Sequence, residues 1–517
     1  MSKHLKNIGV ISVLTVISRV LGLVRDSLAL AIFGTTTLMS AFYAAYTLPN
    51  LFRRLLAEGS LTAAFVPTLQ EELHHHQRPG VFGLLSQVAS WLLVVTGTLT
   101  ALAMFVFSHS RILAGHEEKW YITADLAVIL FPYLALISLS AACSATLNVL
   151  ERFTEPALSP IWLNLAMIAS LAGAGLHFAH SGIQEMHWLC AGVLVGGFLQ
   201  LAVPAATLVR EGWRPRFDLA LSPRVREVAL LMTPGLVGTA IYQINIAVGR
   251  FLALFISNSG VTEMYSANRL MELPIGVFAI AVSTVVYPLI ARHAVAGDRR
   301  ALAHDFLKGL RMILIINVPA AVGLALLSHP IVRILYFHGK VTAEGARDMA
   351  DLVVIFSIGL PFFSIVNLTT RAFYAVKDMA TPVRIAAIDF LINLAVSLSL
   401  MRWLGVPGLV IASTAAIIAQ TMLYHRALRR RFPELDTHLL VRPVLKVLAA
   451  SAGMGLAVRC GWQLLSHSHL GSGTAAAAAV FGLIPLSVAI YAGLLFLLRI
   501  EGREELAAVF RRRFRSS

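Results

Sequence analysis

Apolar runs long enough to cross a membrane recur along the whole chain, and they restrict its possible folds more than any other feature. A helix needs roughly 20 apolar residues to span the ~30 Å hydrocarbon core of a bilayer. Since lipid offers the backbone no hydrogen-bonding partners, such runs are expected to form transmembrane α-helices. We predict fourteen spans, at 8–32, 38–69, 81–108, 123–149, 158–180, 186–209, 227–256, 263–291, 307–328, 350–375, 382–403, 407–428, 443–465 and 474–498.

The composition agrees with a membrane protein and excludes an ordinary soluble domain. Hydrophobic residues make up 57% of the chain and charged residues 13%, with a mean hydropathy of +0.76. The first span is not expected to be a cleaved signal peptide, because it is long, contains Arg19 and Arg25 and lacks a small-residue cleavage site. The predicted class is an all-α polytopic membrane protein.

Basic residues cluster in the loops on one side of the predicted spans. The net charge is +15, and most of the 42 Lys and Arg fall in loops on the side that would hold both termini. Short basic loops stay in the cytoplasm, so both termini are predicted to be cytoplasmic. The positive charge is therefore a topology signal, and no nucleic-acid partner is expected. The tail 501–517 fits either a basic amphipathic helix on the anionic inner leaflet or a solvated segment.

Arginines occur inside three of the predicted spans, where a lipid-facing helix would carry none. They are Arg19, Arg25, Arg53, Arg54 and Arg269. An arginine at the bilayer centre costs at least ~2.5 kcal/mol, so these side chains are expected to face protein or a water-filled cavity. A guanidinium stays charged and holds phosphate oxygens two at a time, which points to an anionic, phosphorylated substrate. The alternative is structural pairing, although the nearby acids are too few to neutralise all the arginines: Asp26, Glu58 and Glu272.

The cysteines and the histidine run do not favour a metal site. Cys143, Cys190 and Cys460 lie in separate spans with no paired spacing, which excludes a disulfide framework and a cysteine-based metal site. The histidine run 74–76 lies in a predicted cytoplasmic loop beside acidic residues. We favour a solvated loop there over a metal site.

An internal repeat divides the chain. Four proline-containing segments of the first half recur in the same order and at nearly constant spacing in the second half, with the pairs Pro49 and Pro274, Pro67 and Pro288, Pro132 and Pro361, and Pro156 and Pro382. The spacing covers an even number of spans, so both halves enter the membrane in the same orientation. Parallel repeats of this kind occur in transporters, with the substrate site at the repeat interface. We predict an N-lobe at 1–215, a C-lobe at 216–432, an added pair of spans at 433–500 and the cytoplasmic tail at 501–517.

Three long motifs carry a resemblance to a known family. SRVLGLVRD at 18–26, LPNLFRRLLAEGSLTAAFVP at 48–67 and YSANRLMELPIGV at 265–277 closely resemble the MurJ/MviN family of lipid II flippases, within the multidrug/oligosaccharidyl-lipid/polysaccharide exporter superfamily. The resemblance implies fourteen helices, arranged as two six-helix lobes plus two C-terminal helices. It also implies that the substrate is lipid II, the undecaprenyl-diphosphate-linked precursor of peptidoglycan. That substrate would move from the inner to the outer leaflet of the bacterial inner membrane.

The resemblance assigns roles to the arginines. The essential cavity arginines of the family correspond to Arg19, Arg25, Arg53 and Arg269, and binding of the diphosphate is implied for the last three. Arg19 would attract the substrate or hold Asp26. The match extends to three acids, Asp26, Glu58 and Glu272. Arg54 and Arg250 are supporting candidates, the second because Arg25 and Arg250 are separated by the repeat spacing.

Two positions depart from the family pattern, and both changes make the cavity more positive. Ser40 replaces an aspartate that is common before the Ala-Phe pair of the second span. Asn268 stands before Arg269, where aspartate is frequent. The sequence does not explain how the arginines are held without these acids.

A cation site in the second lobe is a further implication of the resemblance. Some family members bind sodium with acid and amide groups of spans 7 and 11 and groups of span 12. The corresponding residues are Asp389 and Asn393, four apart on one helix face, and Thr414. Span 7 offers Gln243 and Asn245 but no carboxylate, which weakens the sodium hypothesis. Asp389 is alternatively a proton carrier, since burial raises the pKa of a carboxyl group, or a structural partner of Asn393.

The mechanism that we expect is alternating access without covalent chemistry. The protein would act as a monomer among membrane lipids, with no cofactor and with the membrane potential, Na⁺ or H⁺ as the driving force. A drug/cation antiporter would need a cavity of the opposite charge. A flippase for O-antigen-type sugars shares the electrostatics and differs only in the motifs. An enzyme would need a catalytic set near the membrane, and the outer segment 109–122 does not supply one.

Overall fold

The computed structural model describes residues 3–56, 60–109, 117–175, 181–276, 280–469 and 471–499. Within these ranges the regular structure is helical and no β-strand occurs, which confirms the predicted all-α class. The helices of the first half are α1 (Lys3–Phe33), α2 (Thr37–Leu56), α3 (Ser60–Ser108), α4 (Glu118–Leu130), α5 (Tyr133–Val149), α6 (Thr154–Ala169), α7 (Gly182–Arg210) and α8 (Pro223–Ile256). A π-helical turn at Ser170–Gly175 continues α6.

The second half continues in the same manner. Its helices are α9 (Gly260–Pro274), α10 (Ile280–Ala296), α11 (Arg299–Leu326), α12 (Ser328–Leu335), α13 (Ala343–Ala375), α14 (Ala380–Leu404), α15 (Val406–Arg431), α16 (Val441–Ser466), α17 (Ser472–Ala478) and α18 (Ile484–Leu497). A short 3₁₀ turn at Thr437–Leu440 precedes α16, and a π-helical turn at Ala479–Leu483 joins α17 to α18.

Eleven helical segments among the described residues are long and apolar enough to cross a membrane. They confirm a multi-pass membrane protein. The predicted spans 8–32, 38–69 and 263–291 are not among the eleven, and these are the three that contain the arginines. The described residues of these spans lie in helices: α1, α2 with the start of α3, and α9 with α10. The count of fourteen stays a prediction.

The span predicted at 123–149 lies within one candidate membrane span, Glu118–Val149. The helices α4 and α5 meet in it at Phe131 and Pro132, whose backbone angles stay right-handed helical, so only the hydrogen-bond ladder is interrupted. Proline causes this interruption because it has no N–H to donate to the preceding turn. A backbone break at Gln77, with φ 57° and ψ −158°, divides α3 into two helices. The break lies within the loop predicted between the second and third spans, although the residues on both sides of it are helical.

The chain forms two compact units, residues 1–262 and 263–517. In the first unit α6 packs against α1 and α7, and α3 packs against α5. The helix α8 contacts both α2 and α3 and so belongs to this unit. The lobe boundaries inferred from the repeat stay predictions.

Glycines allow the close approach of α6 and α7. A Cβ atom at Gly196 would lie 2.9 Å from the Cα of Leu163, and one at Gly192 would lie 3.0 Å from the Cα of Met167. Both obstacles are backbone atoms, which a change of rotamer cannot move. Small residues four apart at a helix contact are typical of membrane proteins, where close packing replaces the hydrophobic effect. The two glycines therefore set the distance at which α6 is held.

The second unit contains the predicted added pair of spans. The helices α16 and α18 pack together, and α16 packs on α11. Ile315, Val447, Met454 and Tyr491 share one buried apolar cluster at this contact. The hydroxyl of Tyr491 donates to the carbonyl oxygen of Ile315 at 2.7 Å. The last two spans are thus an integral part of this unit.

Candidate substrate site

Arg25 and Asp26 form a buried ion pair on α1. The Nε and Nη2 atoms of Arg25 both donate to Oδ1 of Asp26, at 2.9 and 2.5 Å. The side chains are 11% and 5% exposed. A charge at this depth needs such a partner, because desolvation of an isolated ion is costly. The structure therefore confirms the pairing of these two residues that the charge argument left as an alternative.

Asn164 on α6 holds the same guanidinium from the other side. Its Oδ1 accepts from Nη1 of Arg25 at 3.1 Å, and its Nδ2 donates to the carbonyl oxygen of Ser18 at 3.0 Å. The sulfur of Met167 lies 3.7 Å from the same Nη1. With both functions of its amide used, Asn164 fixes α6 to α1 at the level of Arg25. Sequence reasoning missed this residue, although an amide inside an apolar span is a usable signal.

Arg53 lies near the end of α2 and is half-buried. Its Nε donates to Oδ1 of Asn50, one turn earlier, at 2.8 Å. The neighbouring Arg54 is also half-buried. Glu58, the third acid of the predicted set, lies outside the described residues. The last turn of α2 thus presents two guanidinium groups in succession.

Arg250 reaches α2 from α8. Its Nη1 donates to Oγ1 of Thr47 at 2.6 Å, and this hydroxyl donates to the carbonyl oxygen of Tyr43 at 2.6 Å. Thr47 is 3% exposed, so the contact is within the interior of the first unit. Arg250, a candidate found only through the repeat spacing, thus contacts the helix that carries Arg53.

Arg19 precedes these groups on α1 and is half-buried. It lies seven residues before Asp26, two turns along one helix face. This position is compatible with either role that the resemblance implies for it.

Ser40 has a structural function in place of the expected aspartate. Its hydroxyl lies 2.9 Å from Oγ1 of Thr262 and accepts from the backbone N–H of Thr262 at 3.3 Å. Both side chains are fully buried. A neutral hydroxyl suits this contact because it both donates and accepts, whereas an ionised carboxylate only accepts.

Arg269 in the second unit is held through Glu272. Its Nη1 lies 3.5 Å from Oε2 of Glu272, and the two side chains are 29% and 47% exposed. Asn268 donates from Nδ2 to Oε1 of the same carboxylate at 3.0 Å. Glu272 therefore contacts both Asn268 and Arg269. Its carboxylate holds Arg269 although asparagine stands at 268, where the family frequently has aspartate. Glu263, 5% exposed on the same helix, is a buried acid that the sequence analysis did not select.

The candidate cation residues lie on α14 and α15. Asn393 accepts through Oδ1 from the hydroxyl of Ser397 at 3.3 Å. Thr414 donates to the carbonyl oxygen of Ile355 on α13 at 3.5 Å, so its hydroxyl is directed at α13. Asp389 is half-buried. The cation site stays a prediction.

The histidine run lies beside the break in α3. His76 contacts a carboxylate oxygen of Glu72 through Nδ1 at 2.9 Å, while His74 and His75 are exposed. Among the described ranges, no three metal-binding side chains of His, Cys, Asp or Glu come together. The basic tail predicted at 501–517 lies outside the described residues.

Comparison with known proteins identifies the family. A family model described as lipid II flippase MurJ matches residues 29–479. The chain belongs to this family. A probable lipid II flippase MurJ of Rhizobium tropici is 34% identical over 475 residues, covering 88% of this chain and 86% of that protein. A probable lipid II flippase MurJ of Vibrio cholerae is 30% identical over 526 residues, covering 98% of each chain.

Solved structures show the same fold. A lipid II flippase MurJ in an inward closed conformation has a TM-score of 0.77 at 23% identity, covering 95% of this chain and 98% of that one. An inward-facing multidrug resistance MATE transporter of the MOP superfamily has a TM-score of 0.69 at 13% identity, covering 81% and 95%. MurJ family membership, predicted from the three motifs, is confirmed. The roles of the individual arginines are still predictions.

Proposed function

We propose that this protein is a lipid II flippase of the bacterial inner membrane. It moves the undecaprenyl-diphosphate-linked precursor from the inner to the outer leaflet by alternating access, and it catalyses no covalent step. The observation that carries the proposal is the buried guanidinium of Arg25, held between Asp26 and Asn164 in a chain of the MurJ family. The second unit contributes Arg269, beside Glu272.

Arg25, Arg53 and Arg269 bind the diphosphate in this proposal, and Arg19 contributes attraction. The planar guanidinium matches two phosphate oxygens at once and keeps its charge at every physiological pH. Asp26 and Asn164 orient Arg25 in the absence of substrate, so little rotamer entropy remains to be lost on binding. Preorganisation of this kind raises affinity by reducing the cost of ordering.

Arg54, Arg250 and Glu58 support the site without contacting the diphosphate in this proposal. Arg250 holds α2 through Thr47, and α2 carries Arg53. Asp26 and Glu272 limit the repulsion among the arginines in the empty state. Substrate binding then supplies the negative charge that lets the cavity close.

The membrane potential supports outward transport. An anion that moves towards the positive outer side gains ~2.3 kcal/mol per charge per 100 mV. The same field favours the inward position of an empty, positively charged site, which resets the carrier. Na⁺ or H⁺ at Asp389, Asn393 and Thr414 is a second candidate for coupling. No resident cofactor is proposed.

The topology and assembly complete the proposal. Both termini lie in the cytoplasm, because the basic loops lie on their side of the membrane. The protein acts as a monomer with lipid II as its substrate and membrane lipids as its surroundings. The alternative function is transport of another polyprenyl-diphosphate-linked oligosaccharide, such as an O-antigen unit, which shares the same electrostatics.

Complementation tests the proposal directly. A bacterium depleted of its own lipid II flippase would receive the parent gene or the variants Arg25→Ala, Arg53→Ala and Arg269→Ala, with membrane levels measured. We expect growth and outer-leaflet lipid II with the parent alone. Arg402→Ala, which removes an exposed charge near the end of α14, is the matched control and is expected to restore growth.

Two results would change the proposal. Rescue by all three alanine variants would remove the arginines from the site. Failure by a well-expressed parent, together with transport of an O-antigen precursor in vesicles, would favour the alternative substrate. Replacing the same three arginines by lysine separates the effect of charge from that of geometry, since lysine keeps the charge but loses the bidentate contact with phosphate.

A further inference from the structure

The connection between α7 and α8 is an extended segment fixed along α3. We name residues 211–222 the crossover strap. Nε1 of Trp213 donates to Oγ of Ser86 at 3.0 Å, and the backbone N–H of Asp218 donates to Oγ of Ser90 at 2.9 Å. Oδ2 of Asp218 accepts from Nε2 of Gln87 at 3.0 Å. The strap is therefore part of the surface of the first unit, with a defined side facing α3.

The side of the crossover strap that faces away from α3 is apolar and exposed. Successive residues of an extended chain point in opposite directions, and Asp218 and Ser222 are directed at Gln87 of α3. The alternate residues Phe217, Leu219 and Leu221 are 68%, 40% and 54% exposed. Exposure of three large apolar side chains to water on one edge of a fixed segment is unfavourable, and such a patch marks a surface that contacts lipid or another molecule.

A groove lies where the strap meets the first turns of α8. Its lining consists of Leu221, Pro223, Arg226, Glu227, Leu230 and Leu231. Leu230 and Leu231 are 73% and 54% exposed, and Arg226 is exposed at the edge of the groove. The carboxylate of Glu227 accepts from Nη1 of Arg224 at 2.8 Å, so its charge is matched. The groove thus combines an apolar floor with a guanidinium at its rim.

The length of α8 places this groove at the level of the lipid headgroups. The helix has 34 residues. At a rise of ~1.5 Å per residue it measures ~50 Å, which exceeds the ~30 Å hydrocarbon core. The charged residues Arg224, Arg226 and Glu227 all lie among its first five residues, so it is this end of the helix that extends past the core. Basic residues mark this end as cytoplasmic.

We infer that this groove binds an anionic phospholipid of the cytoplasmic leaflet, with an acyl chain against Leu221, Leu230 and Leu231 and the phosphate at Arg226. Phe217 and Leu219 enter the same leaflet beside it. Arg214 and Arg216 are exposed on the strap and add attraction for the negatively charged surface. The bound lipid fixes the strap between α3 and the membrane. This inference rests on membrane residence and on the cytoplasmic orientation proposed above, and it is independent of the transported substrate.

Native mass spectrometry of the purified full-length protein tests the site. The probes are phosphatidylglycerol, which is anionic, and phosphatidylethanolamine, which is net neutral. We expect the parent to retain phosphatidylglycerol preferentially. Arg226→Ala should weaken its binding about tenfold, as loss of a charge-assisted contact predicts. Leu230→Ser, at a side chain that is largely exposed, should weaken it without disturbing the fold.

The control is Arg429→Ala, which removes an exposed cytoplasmic charge from α15. Its lipid retention should equal that of the parent, and thermal unfolding without added lipid should be the same for all three variants. Equal retention by Arg226→Ala and the parent would overturn the site. So would equal binding of the two phospholipids. Displacement of phosphatidylglycerol by undecaprenyl diphosphate at equal concentration would assign the groove to the substrate instead.

Discussion

Asn268 donates a hydrogen bond from Nδ2 to Oε1 of Glu272 at 3.0 Å, one helical turn away. The other oxygen of this carboxylate lies 3.5 Å from Nη1 of Arg269. Glu272 is thus divided between an amide and a guanidinium, and the ion pair with Arg269 is looser than a direct charge-assisted hydrogen bond. Such an arrangement leaves Arg269 better able to exchange its partner for a diphosphate.

Asn268→Leu is therefore expected to weaken substrate binding. Without the amide, Glu272 can approach Arg269 and compete with the phosphate. The expected loss of lipid II affinity is about two- to tenfold, the equivalent of one hydrogen bond. Binding measured in detergent for Asn268→Leu, Glu272→Gln and the double variant would check it. Recovery of affinity in the double variant is expected, and an additive loss would contradict the competition.

Asn164→Ala is expected to destabilise the contact between α1 and α6 and to impair transport. It removes the acceptor of Arg25 and the donor to Ser18 inside the protein. Loss of buried hydrogen-bond partners costs about 1–3 kcal/mol. Thermal unfolding and vesicle flipping would be measured together. Leu165→Ala, an exposed neighbour on the same helix, should change neither, and equal effects of both variants would refute the assignment.

Gly196→Ala is expected to lower the unfolding temperature because the new methyl group would meet the backbone of Leu163. Overpacking of this kind costs about 1–3 kcal/mol. Gly323→Ala is the matched control, since a Cβ atom there meets nothing within 4 Å. If Gly196→Ala and the control unfold at the same temperature, α6 and α7 can move apart without a loss of stability.

The crossover strap should loosen in acid. The backbone N–H of Ala220, followed by the amide of Gln87, lowers the pKa of Asp218 below its ordinary value of 3.8. A depressed folded-state pKa stabilises the strap above the unfolded-state value, and this contribution is lost as the pH falls through the folded-state value. Hydrogen-exchange protection of the Ala220 amide should therefore fall below pH ~3.8. The decline should be absent in Asp218→Asn, and an unchanged decline would exclude this carboxylate as its cause.

Asp389→Asn is expected to keep transport driven by the membrane potential and to lose any dependence on Na⁺ or a proton gradient. Amide replaces carboxylate with little change of shape, so the fold should persist. Flipping in vesicles under an imposed potential, with and without each ion gradient, would separate these contributions. Thr414→Val tests the second helix of the proposed cation set. A gradient dependence that survives Asp389→Asn would exclude Asp389 as the carrier.

The sequence predicted the features that depend on hydrophobic length and on charge. The α-helical class and the multi-pass character followed from runs of apolar residues, and the cost of buried charge offered Asp26 and Glu272 as alternative ion-pair partners of the arginines. The family followed from the motifs around Arg25, Arg53 and Arg269. These properties are local in sequence, so a linear pattern is sufficient to reveal them.

Contacts between distant segments were not predictable in this way. Asn164 lies 139 positions from Arg25, and nothing in its own span indicates which helix it would meet. The attachment of Trp213 to Ser86 likewise depends on the path of a loop.

The interruption between α4 and α5 gives the two repeats different mechanical properties. Pro132 separates α4 from α5, whereas its counterpart Pro361 lies within the unbroken helix α13. A helix bends most easily where its hydrogen-bond ladder is interrupted, while an uninterrupted ladder distributes bending along its length. The backbone at Phe131 and Pro132 stays helical, so a duplicated sequence has produced one helix with a weak point and one without it.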